Sequence, residues 1–176
     1  MRTWLPVASE KLRVLDFLLC RQEKISIRET AKTLKLSPSH VSAIAASLEK
    51  GGLAKGKRVD FTNPSVRAFK ILLNVRKLEG LSGRLKKLDG FLGCGLYGSW
   101  ANGTNALESD CDLWLKTSKA ISMLDRGVLE SDFSEKLGVR CSVLAVTPSV
   151  LEELKRRDFV FYCALSNSFV LAGEGI

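Results

Sequence analysis

Tyr97-Gly98-Ser99-Trp100-Ala101-Asn102-Gly103-Thr104-Asn105-Ala106-Leu107-Glu108-Ser109-Asp110-Cys111-Asp112 is the stretch whose reading decides this chain. An apolar run of strand length, Phe91 to Tyr97, leads into it, and Leu113-Trp114-Leu115 continues it. Ser99 to Asn102 can open a short helix after the first run, so the Gly-Ser turn at the junction would offer backbone N–H groups and a hydroxyl to an anion. In the second run side chains alternate, which predicts Asp110, Asp112 and Trp114 on one side and Cys111 on the other. Two carboxylates one residue apart can share a hard cation such as Mg²⁺. An ion held there neutralises charge on a reacting phosphoryl group and lines up the attacking oxygen.

With Gly98-Ser99 and Asp110-Cys111-Asp112 at this spacing, and with Ser99-Trp100-Ala101-Asn102-Gly103 and Glu108-Ser109-Asp110 filling it, the segment resembles the DNA polymerase beta superfamily, and its minimal nucleotidyltransferases in particular. The resemblance covers residues 85 to 176 and implies a nucleotidyltransferase-like α/β domain with a mixed sheet. It implies that Gly98 and Ser99 contact the triphosphate of a nucleotide, with ATP the default. It also implies that Asp110 and Asp112 are the catalytic carboxylates that bind Mg²⁺ together with that nucleotide. Active members of the family add a third carboxylate on a later strand. Counted along Gly138 to Pro148, that position falls on Ser142, and no Asp or Glu lies in the strand. A neutral hydroxyl replaces a carboxylate poorly as metal ligand or base, so the departure bears on turnover rather than on nucleotide binding. Asp132, Glu152 and Asp158 are candidates to compensate, although a solvated surface charge is the simpler reading of each.

At 176 residues the chain can hold one large domain or two small ones. It has no apolar stretch long enough for a membrane span, and Met1 to Pro6 lacks the apolar run of a signal peptide, which leads to the expectation of a cytoplasmic protein. The five cysteines, at 20, 94, 111, 141 and 163, form no Cys-x-x-Cys pair, and there is a single histidine, so a zinc site is not expected. A Cys-His or Ser-His-Asp nucleophile would have to recruit His40 from the other half of the chain.

Charge divides the sequence. Residues 1–90 hold 19 Lys and Arg against 8 Asp and Glu, whereas residues 91–176 hold 8 against 11. The whole net charge of +8 therefore comes from the first half, which suits a polyanion.

That half reads as a sequence of capped helices. Ser9 starts a helix to about Cys20. Ser26-Ile27-Arg28-Glu29 is a capping box opening a short helix, with Ile27, Ala31 and Leu34 inward. Ser37-Pro38 starts a third, stopped by Gly51-Gly52. Its apolar stripe is Val41, Ile44, Ala45 and Leu48, and its small polar outer face is Ser39, His40, Ser42, Ala43 and Ser47. Leu53 to Thr62 reads as two short strands around a basic Gly turn, and Asn63-Pro64 begins a helix to about Leu78. Residues 8 to 78 resemble the winged helix-turn-helix of bacterial and archaeal transcription regulators. The resemblance implies that Pro38 to Lys50 enters the major groove of double-stranded DNA, with Ser37, Ser39, His40, Ser42, Ala43 and Ser47 at the interface, while Lys55, Lys57 and Arg58 on the wing contact phosphates.

The expected fold class is therefore α+β, with a winged helix unit over 1–80 and a nucleotidyltransferase-like unit over 85–176. The Gly-containing stretch Glu79 to Gly83 is expected as the linker. Surplus apolar residues, among them Phe17, Phe69 and Leu72, point to a homodimer or to packing between the units. Three functions stay open at this point. One is a DNA-bound nucleotidyltransferase that passes a nucleoside monophosphate to a hydroxyl. Another is a transcription regulator whose transferase unit senses nucleotide or is inert. The third is an antitoxin acting on a protein acceptor or toxin partner.

Overall fold

Capped helical stretches alternate with short apolar runs, and the chain is accordingly α+β in the computed structural model, which describes residues 9–21, 24 and 26–176. It divides into two compact units, one ending at Lys70 and the other running from Ile71 to Ile176.

In the first unit, α1 (Ser9–Leu19), α2 (Ile27–Leu34) and α3 (Pro38–Lys50) bury Val14, Leu15, Leu18, Ala31, Val41, Ile44 and Leu48. Each short helix is marked out by its caps. Ser26 Oγ accepts from Glu29 N–H at 3.4 Å, Lys35 closes α2 in the left-handed region, and Ser37 Oγ accepts from His40 N–H at 3.2 Å. The expected capping box is half formed, because the Glu29 carboxylate takes a hydrogen bond from Arg21 at 2.6 Å. Strands β1 (Ala54–Lys55) and β2 (Arg58–Val59) pair antiparallel around Gly56-Lys57, with φ of 56° and 61°. Two consecutive positive φ angles make a two-residue turn of type I′, whose twist matches that of a hairpin. The Lys57 N–H donates to Glu49 Oε1 at 2.8 Å, which ties the turn to α3.

The next helix, α4 (Pro64–Leu85), is longer than the sequence suggests, and the division between the units falls within it. Residues 79–83, expected to be a linker, are helical. Leu78, Leu81 and Leu85, spaced three and four apart, are buried in the core of the second unit. Their burial outweighs the cost of about 1 kcal/mol each for Gly80 and Gly83 in a helix.

The second unit is built on a four-stranded sheet in the order β5-β4-β3-β6, comprising β3 (Phe91–Tyr97), β4 (Cys111–Thr117), β5 (Cys141–Val146) and β6 (Phe169–Gly173). β4 and β5 are parallel and the other pairs antiparallel, which makes the sheet mixed. The remaining helices are α5 (Gly98–Asn102), α6 (Met123–Leu137), α7 (Pro148–Arg157) and α8 (Phe159–Ser166). One face of the sheet packs Cys94, Leu96, Leu113, Leu115 and Val143 against Leu78, Leu85 and Phe133. On the other face Trp114 crosses β3 at Gly95, where a Cβ would stand 2.4 Å from the indole, and its Nε1 donates to Ser168 Oγ at 2.6 Å. No helix among the described residues is long and apolar enough to cross a membrane. Met1 to Pro6, read for a signal peptide, lie outside the described residues.

Candidate functional site

The edge of the sheet where β3 ends and β4 begins brings the two halves of the motif together. Tyr97, the last residue of β3, pairs with Asp112. The chain then turns into α5 at Gly98, whose φ is +69°. A Cβ on Gly98 would stand 2.7 Å from Asp112 Oδ2, so glycine is required both by the backbone and by the approach of the carboxylate.

The ten residues between Ser99 and Asp110 are held by buried polar contacts. Asn74 of α4, 2% exposed, donates through Nδ2 to the Trp100 carbonyl at 2.9 Å and to Asn105 Oδ1 at 3.0 Å. Trp100 Nε1 donates to the Ser109 carbonyl at 3.1 Å, and Ser109 Oγ accepts from Ala106 N–H at 2.7 Å. The loop is thereby pinned immediately before the acidic pair. Asn74 and Asn105 are positioning residues that the sequence did not mark, since their partners lie 26 and 31 residues away.

Asp112 sits on β4 as expected, while Asp110 is exposed and precedes the strand rather than forming part of it. The cause is local: the Cys111 N–H donates to the Arg140 carbonyl at 2.8 Å, so ladder pairing starts one residue after Asp110. Arg140 Nη1 stands 3.9 Å from Asp110 Oδ2, a loose exposed pair. Partial burial and, secondly, the charge of Asp110 push the Asp112 carboxyl above its ordinary value. Burial and the Asp112 charge push the Tyr97 phenol up as well. Two mutually repelling carboxylates beside a glycine turn make a negative, oxygen-only donor set.

Ser142 is the β5 partner of Asp112 in a parallel register, so both side chains leave the same face of the sheet. Cys111 and Cys141 pair on the opposite, buried face, as alternation requires. There the Cys111 thiol is pushed up by its hydrogen bond with Cys141 and by burial. The acids considered as compensators are placed otherwise: Asp132 is held by Arg84, Asp158 Oδ1 caps α8 through Phe161 N–H at 2.9 Å, and Glu152 is exposed on α7. Among the described residues no cluster of three or more His, Cys, Asp or Glu could hold a metal ion. Asp110 and Asp112 nevertheless suit Mg²⁺, which commonly takes one or two carboxylates and fills its other positions with water and phosphate oxygens.

In the first unit the residues expected at DNA are exposed together. Ser37, Ser39, His40, Ser42, Ala43 and Ser47 lie on or just before α3, and Lys55, Lys57 and Arg58 on the hairpin. Three of the α3 side chains have local partners: Ser39 Oγ is 3.1 Å from Ser37 Oγ, His40 Nε2 is 3.4 Å from Glu10 Oε2, and Ser47 Oγ donates to the Ile44 carbonyl at 2.8 Å.

No family model matches the chain, and no curated protein matches it. Among solved structures it is similar to a complex of a tri-AMPylated HEPN toxin with its MNT antitoxin from Shewanella oneidensis, at 15% identity and a TM-score of 0.39, covering 59% of this chain and 73% of that one. A likeness at that level assigns neither a family nor a partner.

Proposed function

We propose that the second unit binds a nucleoside triphosphate with Mg²⁺ at Gly98, Ser99, Asp110 and Asp112, and that the first unit is a winged helix that binds double-stranded DNA. The observation that carries the nucleotide reading is the approach of Asp112 Oδ2 to Gly98, which brings a glycine turn and an acidic pair to one edge. Asp110 and Asp112 would hold the metal. When bound, the ion would supply positive charge against the triphosphate and relieve the repulsion from Asp110 that adds to burial in raising the Asp112 carboxyl. The Gly98-Ser99 turn orients the phosphates, and the Asn74–Trp100–Asn105 contacts keep the turn in place.

Ser142 beside Asp112 favours a nucleotide-binding regulator over an enzyme that turns over, since no described residue supplies the third carboxylate. The charge of the first half, the exposed small-residue face of α3 and the basic turn support DNA as its partner.

Calorimetric titration of Mg²⁺ with each of the four nucleoside triphosphates into wild type and Asp112→Asn tests the proposal. Binding that needs both Mg²⁺ and Asp112 is the expected result. No binding to folded wild type, or equal binding to the variant, would overturn it.

A further inference from the structure

β4 and β5 run parallel from the acidic edge, and at their far ends a second cleft of about 190 Å³ opens, with Thr117, Ser122, Arg126 and Thr147 in its wall. Thr117 lies five residues along β4 from Asp112, roughly 17 Å of extended chain. The helices that follow these strands both start at the cleft: α6, 15 residues, is capped by Ser122, and α7, 10 residues, by Thr147. Each presents an N-terminal end carrying about half a positive charge. The crevice beyond the carboxyl ends of parallel strands is also where α/β sheets receive ligands.

A second, independent observation gives the cleft a vacancy for an acceptor. Thr117 lines it, is 0% exposed, and its Oγ1 has no hydrogen-bond partner. A buried hydroxyl left in that state costs about 1–3 kcal/mol, and a ligand that displaces the side chains closing over it and accepts its proton would recover that cost. Arg126 Nε is likewise buried and without a hydrogen-bond partner. Its ion-pair partner, Glu130 Oε1, lies 3.8 Å away and already accepts from Val143 N–H. The acid in the first turn of α6, Asp125, is exposed and accepts a hydrogen bond from Ser122 Oγ at 2.7 Å. The rest of the wall, including Ile121 and Val150, is apolar.

We propose that this cleft is a binding site for a small organic anion, a carboxylate on a short apolar body. The apolar wall selects against inorganic phosphate, which has nothing to set against Ile121 and Val150. A cavity of about 150 Å³ holds benzene, so this one takes about seven or eight non-hydrogen atoms.

Isovalerate has that size and serves as the probe, with its neutral amide and inorganic phosphate as comparisons, each titrated into the full chain and followed by backbone amide shifts. Isovalerate should saturate, move the amides of Thr117, Arg126 and Val150, and bind about tenfold or more tighter than either comparison. Arg126→Gln should weaken it by at least about tenfold, as should Val150→Glu, which adds a charge at a position 44% exposed that tolerates one without loss of fold. Asp112→Asn should leave it unchanged. Amide binding as tight as the carboxylate, tighter binding of phosphate, shifts elsewhere, no saturation, or wild-type affinity in both cleft variants would each overturn the assignment.

Discussion

The carboxylate of Asp112 and the α-carbon of Gly98 are in such contact that one methyl group on Gly98 would fall 2.7 Å from Asp112 Oδ2. Gly98→Ala therefore meets two penalties, a left-handed backbone costing about 1–2 kcal/mol and displacement of the acid. Calorimetry should show Mg²⁺-nucleotide affinity reduced by at least about tenfold in a variant that still folds. Undiminished affinity would show that the turn and the acid do not act together.

Asp112→Asn should have opposite effects on binding and on stability. The Asp112 carboxyl is raised in the folded chain, so its ionised form costs stability at neutral pH; as pH falls through the raised value it protonates and the cost disappears. The variant should abolish Mg²⁺-dependent binding and raise the melting temperature at pH 7, with the gain shrinking as pH drops toward the ordinary carboxylate range. Thermal melts from pH 7 to pH 4 check the sign, and an equal difference throughout would contradict it.

Ser142→Asp places a third carboxylate in register with Asp112. Without metal it should destabilise the second unit through added repulsion, and with Mg²⁺ and nucleotide it should bind several-fold tighter than wild type. Melting curves with and without the pair of ligands separate the two effects. A variant equally stable in both conditions would place Ser142 outside the site.

For the hairpin, replacing Lys55, Lys57 and Arg58 with Ala should weaken DNA on all sequences and flatten the dependence of log K on log salt by up to about 2.7, at roughly 0.9 per phosphate contact. Lys57→Gly separates charge from shape: it keeps the positive-φ turn, relieves a non-glycine left-handed residue, and removes one contact. Its slope should change by about 0.9 while its stability rises slightly. Anisotropy titrations over a salt series measure both, and an unaltered slope in the triple variant would exclude the hairpin from the interface.

The elements that carry these arguments differ in how openly the sequence declared them. β3, α5 and β4 were legible because apolar runs, a glycine turn and alternation are local signals. The caps of α2 and α3 were legible for the same reason, each being a side chain reading its own helix. The extension of α4 was not, since Gly80 and Gly83 look like breakers until Leu78, Leu81 and Leu85 are seen buried together. Asp110 was read as a strand residue because alternation says nothing of where a ladder begins. Asn74 and the vacant Thr117 hydroxyl were invisible for a different reason: their meaning lies in partners, or the want of them, across the fold.

Trp114, held over Gly95, and Trp100, which follows Ser99, are both nearly sealed from water, at 0% and 3% exposure. One indole shares the β4 face of Asp112 and the other donates its N–H to the carbonyl just before Asp110. The acidic edge thus carries its own fluorophores. Their emission belongs at the blue end of the tryptophan range, and filling or emptying the edge can be followed optically in untagged, unlabelled protein.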